Sequence, residues 1–450
     1  MTMTSEMGAV SAVRGAVHTL RGEPADFDPL LQLIGNAPIV LLGEASHGTH
    51  EFYRIRSEIT KRLIREKGFC AVAVEADWPD AYRVNRYVRG VSDDADASVA
   101  LADFARFPQW MWRNADVLDF VGWLRQYNDQ IRQESDRIGF YGLDLYSLHA
   151  SIQAVLHYLR VVDPEAARRA ERRYTCFDHF GSDPQDYGYA TSLGLSVSCE
   201  REVLEQLREL RASAADYANR DGRVSSDSLF FAEQNARIVA HAEQYYREMF
   251  QSRIGSWNLR DRHMAETLNS LVDFLRGETP QPRVVVWAHS SHLGDARATD
   301  MGASGELNVG QLVRERWGDS ATLVGFTTFT GTVTAARDWG GPAERRSVRP
   351  ALPGSYEALL HQASAGNSFL NLRQASDAVS ALNTPRLERA IGVIYRPESE
   401  RSSHYFTARL PGQFDAVFHY DQTRAVEPLE RTGVWDGGAT ELPETFPSAL

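Results

Sequence analysis

"APIVLLGEASHGTHEFYRIRSEITKRLIREKGFCAVAVEA", residues 37–76, places two short apolar runs on either side of a helical stretch. The runs "APIVLLGE" (37–44) and "CAVAVEA" (70–76) are rich in β-branched residues and too short for helices. Their hydrophobicity is unbroken rather than alternating, which marks strands covered on both faces, as in a largely parallel sheet. Between them Phe52, Ile55, Ile59, Leu63 and Ile64 recur at helical spacing, and Gly68 supplies a stop signal. The stretch therefore predicts a strand–helix–strand unit with a right-handed crossover.

The same kind of run recurs at "IGFYGLDL" (138–145), "RVVVWAH" (283–289) and "ATLVGFTTF" (321–329), with later candidates at "AIGVIYRP" (390–397) and "DAVFHYDQ" (415–422). The segment "WGGPAERRSVRPALPG" (339–354) reads as a long loop. Residues 146–280 carry helical periodicity and no strand signal. The expectation is an α/β fold: a central, largely parallel β-sheet flanked by helices, with an inserted helical subdomain. An N-terminal α/β half spans 28–145, the helical insertion 146–280, and a C-terminal α/β half completing the same sheet 281–425.

The chain has 450 residues, 43% hydrophobic and 24% charged, enough for a full core in one large domain or two joined ones. Its net charge of −12 disfavours nucleic acid and anionic membranes as partners, and no apolar stretch is long enough to span a bilayer. The N-terminus lacks the pattern of a signal peptide. Three cysteines (Cys70, Cys176, Cys199) without a CxxC pair fit a reducing, cytoplasmic compartment with no disulfide framework. The oligomeric state is left open.

In open α/β sheets ligands bind beyond the carboxyl ends of the strands. The first strand here is followed by Glu44 and His47, the second ends in Glu75 and Asp77, the third in Asp144, and the fourth in His289 and His292. Singly, each has an ordinary structural role open to it, such as capping a helix. Together, titratable groups closing four strands point to function, because buried charges need partners. The serine-hydrolase elbow, the Walker loop, GxGxxG and HExxH are absent; in "HEFYR" Arg54 stands where a second zinc-binding histidine would be. What remains is histidine with carboxylates, the equipment for general-base activation of water.

"GEASHGTHEF", "EADWPDAYRVNRYVRG", "NLRDRHMAET" and "WAHSSHLGD", in this order, resemble the erythromycin esterase family, over about residues 28–425. That resemblance implies an α/β fold and hydrolysis of an ester, in some members the lactone of a macrolide antibiotic, with antibiotic resistance as its consequence. It also implies that His47 is the general base, that Glu44 orients it and that Glu75 holds the charge balance. Arg56 and His292 would line the cleft and steady the oxyanion. Asp261 would support the site, and with Asp144, His289 and His50 it is read on the substrate side. The second motif looks more like the broad branch of the family than its macrolide-resistance members.

Two other readings stand beside this one. His47, His50, Glu75, His289 and His292 are residue types that bind zinc or manganese, so a metal-dependent hydrolase is an alternative to the cofactor-free one. A family member that binds a small ligand without cleaving it is the other. The aromatic run "FPQWMW" (107–112) suits core packing better than a substrate wall, and "YTCFDHFGSDPQDYGYATS" (174–192) is a candidate loop over the cleft.

Overall fold

The apolar runs become the middle of one mixed sheet. The computed structural model describes residues 3–437, apart from 181–182, 221–225, 365 and 375. Its strands are β1 (His18–Thr19), β2 (Ile39–Leu42), β3 (Ala71–Asp77), β4 (Gly139–Asp144), β5 (Val284–Trp287), β6 (Ala321–Ala335), β7 (Glu344–Val348), β8 (Ser368–Asn371), β9 (Arg386–Arg389), β10 (Tyr405–Ala408) and β11 (Ala416–Thr423). The main sheet runs β1-β8-β11-β6-β2-β5-β3-β4, with β7 paired to β6; β9 and β10 pair separately. From β11 through β4 every neighbour is parallel, while β8 and β7 add antiparallel partners at one side.

Both faces of the central strands are covered, which is why their sequences read as unbroken apolar runs. Val40, Leu42, Val72, Val74, Val285 and Trp287 pack into one core. Their alternates Ile39, Leu41, Ala71, Ala73, Val284 and Val286 pack into the other. Each fully buried Val, Leu or Ile contributes roughly 1.5–3 kcal/mol. The helix His50–Lys67 covers one face and stops at Gly68, whose φ of 69° is the left-handed cap that glycine adopts freely.

Between residues 146 and 280 the described chain forms the helices Leu148–Val162, Pro164–Tyr174, Pro184–Ser192, Glu200–Arg220, Ser226–Met249 and Arg253–Leu275, with a third core between several of them. No helix among the described residues is long and apolar enough to cross a membrane.

Three expectations are corrected. Residues 390–397 form no regular strand. They follow β9, and only Ile391 and Ile394 make isolated bridges, to Ser46 and Ala336. The expected loop at 339–354 contains β7, whose sequence "ERRSV" is polar and mostly half-buried at the sheet's margin, so it carried no apolar signal. Cys176 and Cys199 are joined by a disulfide, their Cα atoms 5.9 Å apart. The turn Thr175–Phe180 brings them together across a 23-residue separation that no spacing motif marks.

Candidate active site

The strand order decides the site. β5, from the second half of the chain, lies between β2 and β3. Leu42 and Val74 both pair with Trp287, so the residues just beyond these three strands emerge side by side. Beyond them opens a cavity of about 620 Å³, lined among others by His47, Glu75, Asp144, Arg260, His289 and His292.

The turn after β2 is held close to its neighbours. The carbonyl of Gly48 accepts hydrogen bonds from the backbone N–H groups of Thr334 and Val426. A Cβ on Gly48 would lie 1.8 Å from the Thr334 carbonyl oxygen, so only glycine allows this approach. The turn delivers His47 with its Nδ1 3.0 Å from Glu44 Oε1. A carboxylate only accepts, so in the neutral ring Nδ1 carries the proton and Nε2 is left bare. Arg56, on the following helix, donates from Nη2 to the other oxygen of Glu44 at 2.5 Å. Its guanidinium packs over the Tyr53 and Trp287 rings.

After β5 comes a short helix, Ser290–Leu293, capped by His289. The backbone N–H of Ser291 donates to His289 Nδ1, so this ring holds its proton on Nε2, the opposite tautomer to His47. His289 Nε2 is buried and makes no well-formed hydrogen bond, although the ring also interacts with the Ala45 backbone. Burial, helped by the nearby His47 and His292, holds the His289 pKa well below the usual imidazole range, so the ring is neutral. The His47 and His289 rings lie 4.8 Å apart.

A second histidine–carboxylate pair faces the first. His292 donates from Nδ1 to Asp261 at 2.9 Å. Three residues at helical spacing on Arg253–Leu275 surround this ring. Trp257 stacks on it at 4.5 Å, Arg260 Nη1 lies 2.9 Å from its Nε2, and Asp261 takes the Nδ1 proton. Burial works against charge on His292, yet Asp261 and Glu75 overcome it and raise its pKa. Burial also raises the Asp261 carboxyl.

Arg260 ties the strand ends together. It donates from Nη2 to Glu75 Oε1 at 2.7 Å and to Asp144 Oδ2 at 2.6 Å, and from Nε to Asp144 Oδ1 at 3.0 Å. Glu75 Oε2 accepts the backbone N–H of His289 at 2.8 Å. Burial alone would raise Glu75, but His292, His47 and Arg260 pull it far below the carboxylate range. Towards the mouth the balance reverses. Burial and Asp144 push Asp77 up to about 6 despite its Arg106 partner. Burial and the like charges of Asp77 and Asp103 push Asp80 up to about 8.

The cavity therefore brings together His47, Glu75, Asp144, His289 and His292, with Glu44 and Asp261 directly behind the two rings. Other expected site residues fall elsewhere. Arg56 is fully buried behind Glu44 and does not line the cleft, because the helix phase turns it towards the core. His50 points away: Thr49 caps the helix between it and His47, and its ring bonds Asp116 and Arg424. Asp261, wholly buried, supports His292 rather than touching a substrate. The run 107–112 does both: Trp110, Met111 and Trp112 are buried in a core, and Phe107, Pro108, Met111 and Trp112 line the cavity. The segment 174–192 is mostly helical where described, and none of its described residues lines the cavity. Among the described residues no group of three or more His, Cys, Asp or Glu is arranged to hold a metal ion.

Sequence reading missed Arg260, although it stands in the quoted "NLRDRHM". The available signal was the demand of two buried strand-end carboxylates, Glu75 and Asp144, for a cation. It also missed Trp257 and Asp80, which carry no local signature.

Fold and cavity together define the class: an α/β protein carrying two histidine–carboxylate pairs at the carboxyl edge of its sheet. Residues 64–423 match the erythromycin esterase family, and the chain belongs to it. The match begins after the Glu44–His47 turn. The erythromycin esterase type II of Escherichia coli is 22% identical over 367 residues, 77% of this chain and 84% of its own. A solved structure described as a succinoglycan biosynthesis protein superposes with a TM-score of 0.75 at 21% identity, over 95% of this chain and 100% of that one. A mutant erythromycin esterase in its open conformation gives 0.65 at 18% identity, over 91% and 95%.

Proposed function

We propose that this chain hydrolyses an ester or lactone by direct attack of water activated by His47. One observation carries the reading: two histidines 4.8 Å apart hold opposite tautomers. His47 offers a bare Nε2, a base, and His289 offers an Nε2–H that no well-formed hydrogen bond holds, a donor. Water gives its proton to His47 Nε2 as its oxygen attacks the carbonyl carbon. The carbonyl π pair moves onto oxygen, where the His289 N–H donates to it. Collapse breaks the bond to the leaving alkoxide, which takes the proton back from His47. General-base help contributes about a hundred- to ten-thousand-fold, and loss of an oxyanion donor costs roughly 3–4 kcal/mol.

The donor in this scheme is His289, not Arg56 or His292: the first is buried behind Glu44, and the second has its Nε2 occupied by Arg260. The cavity volume of about 620 Å³ suits a drug-sized ligand, and Phe104, Phe107 and Trp339 give it apolar walls. Macrolide lactones join simple esters as the substrates to test, because relatives bear the name erythromycin esterase. The chemistry proposed is independent of metal.

The test is a hydrolysis screen over macrolides, aryl esters and lactones, with elemental analysis and chelation. Turnover that survives chelation, and that falls at least about a hundredfold in His47→Ala at unchanged melting temperature, is the expected result. Near-normal turnover in that variant overturns the assignment.

A further inference from the structure

The two histidine–carboxylate pairs share a cavity but differ in one respect. His47 Nε2 is bare, whereas His292 Nε2 is met by a guanidinium N–H at 2.9 Å. An arginine only donates, so the nitrogen facing it has to be an acceptor. The alternative partner is also present: Glu75 Oε1 lies 3.4 Å from the same nitrogen and would accept a hydrogen bond from an imidazolium.

We infer that Arg260 is a positioning residue which keeps His292 neutral, with its proton on Nδ1, so that the site holds one working base. Every other charged neighbour of the ring pulls the other way. Asp261 on the same helix and Glu75 on β3 both favour the protonated ring and raise its pKa, so the guanidinium N–H set against Nε2 is the contact that holds a second proton off. Asp144 on β4 anchors Arg260 instead of facing His292. His289 and His47 line the same cavity.

Without the guanidinium, His292 takes up a proton at Nε2 and hydrogen-bonds through it to Glu75. That adds a positive charge close to His47 and competes for the carboxylate that holds the His289 backbone. The loss is then greatest where His292 is protonated and fades as alkaline conditions strip the ring. A residue that merely packed the site would lower activity by one factor at every pH.

The experiment uses ¹⁵N-histidine labelling of the full chain, with His292→Asn to assign the resonance, and Arg260→Gln and Arg260→Lys beside the wild type. The expected wild-type ring at neutral pH has one protonated and one bare nitrogen. In Arg260→Gln both nitrogens are protonated, and Arg260→Lys restores the wild-type pattern. The kinetic arm rests on the hydrolase reading: kcat/KM of Arg260→Gln falls about tenfold more at neutral than at alkaline pH, one pK unit's worth. A doubly protonated His292 in the wild type, or an unchanged ring in Arg260→Gln, overturns the inference. Should Arg260→Gln fail to fold, the wild-type spectrum still decides it. A chain that cleaves no ester defeats the hydrolase reading and leaves the spectroscopic result standing.

Discussion

Replacing Glu44 with glutamine changes one oxygen to NH₂ and almost nothing in volume. Glu44 now accepts two hydrogen bonds, from His47 Nδ1 at 3.0 Å and from Arg56 Nη2 at 2.5 Å, and is buried. An amide can accept only through its one oxygen. The buried guanidinium always donates, so the oxygen turns to Arg56 and the NH₂ faces His47. Nδ1 must then accept, and the ring proton moves to Nε2, the nitrogen that has to take the proton of water. The base is lost without a cavity being made. The expected fall in kcat/KM is about a hundred- to ten-thousand-fold, or ~3–5.5 kcal/mol in transition-state stabilisation. Stability falls less, by roughly 1–3 kcal/mol, because one charge-assisted bond is weakened rather than deleted. Glu44→Ala strands the buried Arg56 charge instead and costs about 3–5 kcal/mol. The assay is kcat/KM on the best ester from the screen, with denaturant unfolding of each variant. Turnover of Glu44→Gln within about threefold of wild type, far short of the roughly hundredfold or greater loss expected when the general base goes, refutes the tautomer argument.

Two further outcomes concern stability. Asp80 is pushed up to about 8, so the folded chain keeps a proton that the unfolded chain, near the ordinary value of about 3.9, has released. Its contribution is complete below the unfolded pKa and is lost as pH rises towards the folded one. Asp80→Asn should therefore raise the melting temperature by a margin that widens from about pH 4 to about pH 8 and then levels; a margin independent of pH contradicts this. Opening the Cys176–Cys199 bridge, by the double serine variant, releases a loop of 23 residues and should cost about 3 kcal/mol in denaturant unfolding. No loss of stability would show that the bridge constrains nothing in the unfolded chain.

The chain sequence by itself determined the local elements. Strands such as "IVLL" and "VVVW" are buried on both faces and announce themselves by composition, and the helix His50–Lys67 does so by its spacing and its terminal glycine. The Glu44–His47 pair was also legible, since both partners sit within one turn of chain. Tertiary structure alone decided that β5 enters between β2 and β3, which sets His289 and His292 beside His47. Strand neighbours are selected by pairing and by the fit of two cores, interactions between residues some 240 positions apart that leave no trace in local pattern. Side-chain direction was decided there too. Arg56 and His50 share a motif with His47 yet turn into the core and towards Asp116, whereas Arg260 and Asp261, adjacent in sequence, grip opposite nitrogens of one ring. Residue type and spacing can nominate a charged group, but the packing around it settles which atom it faces.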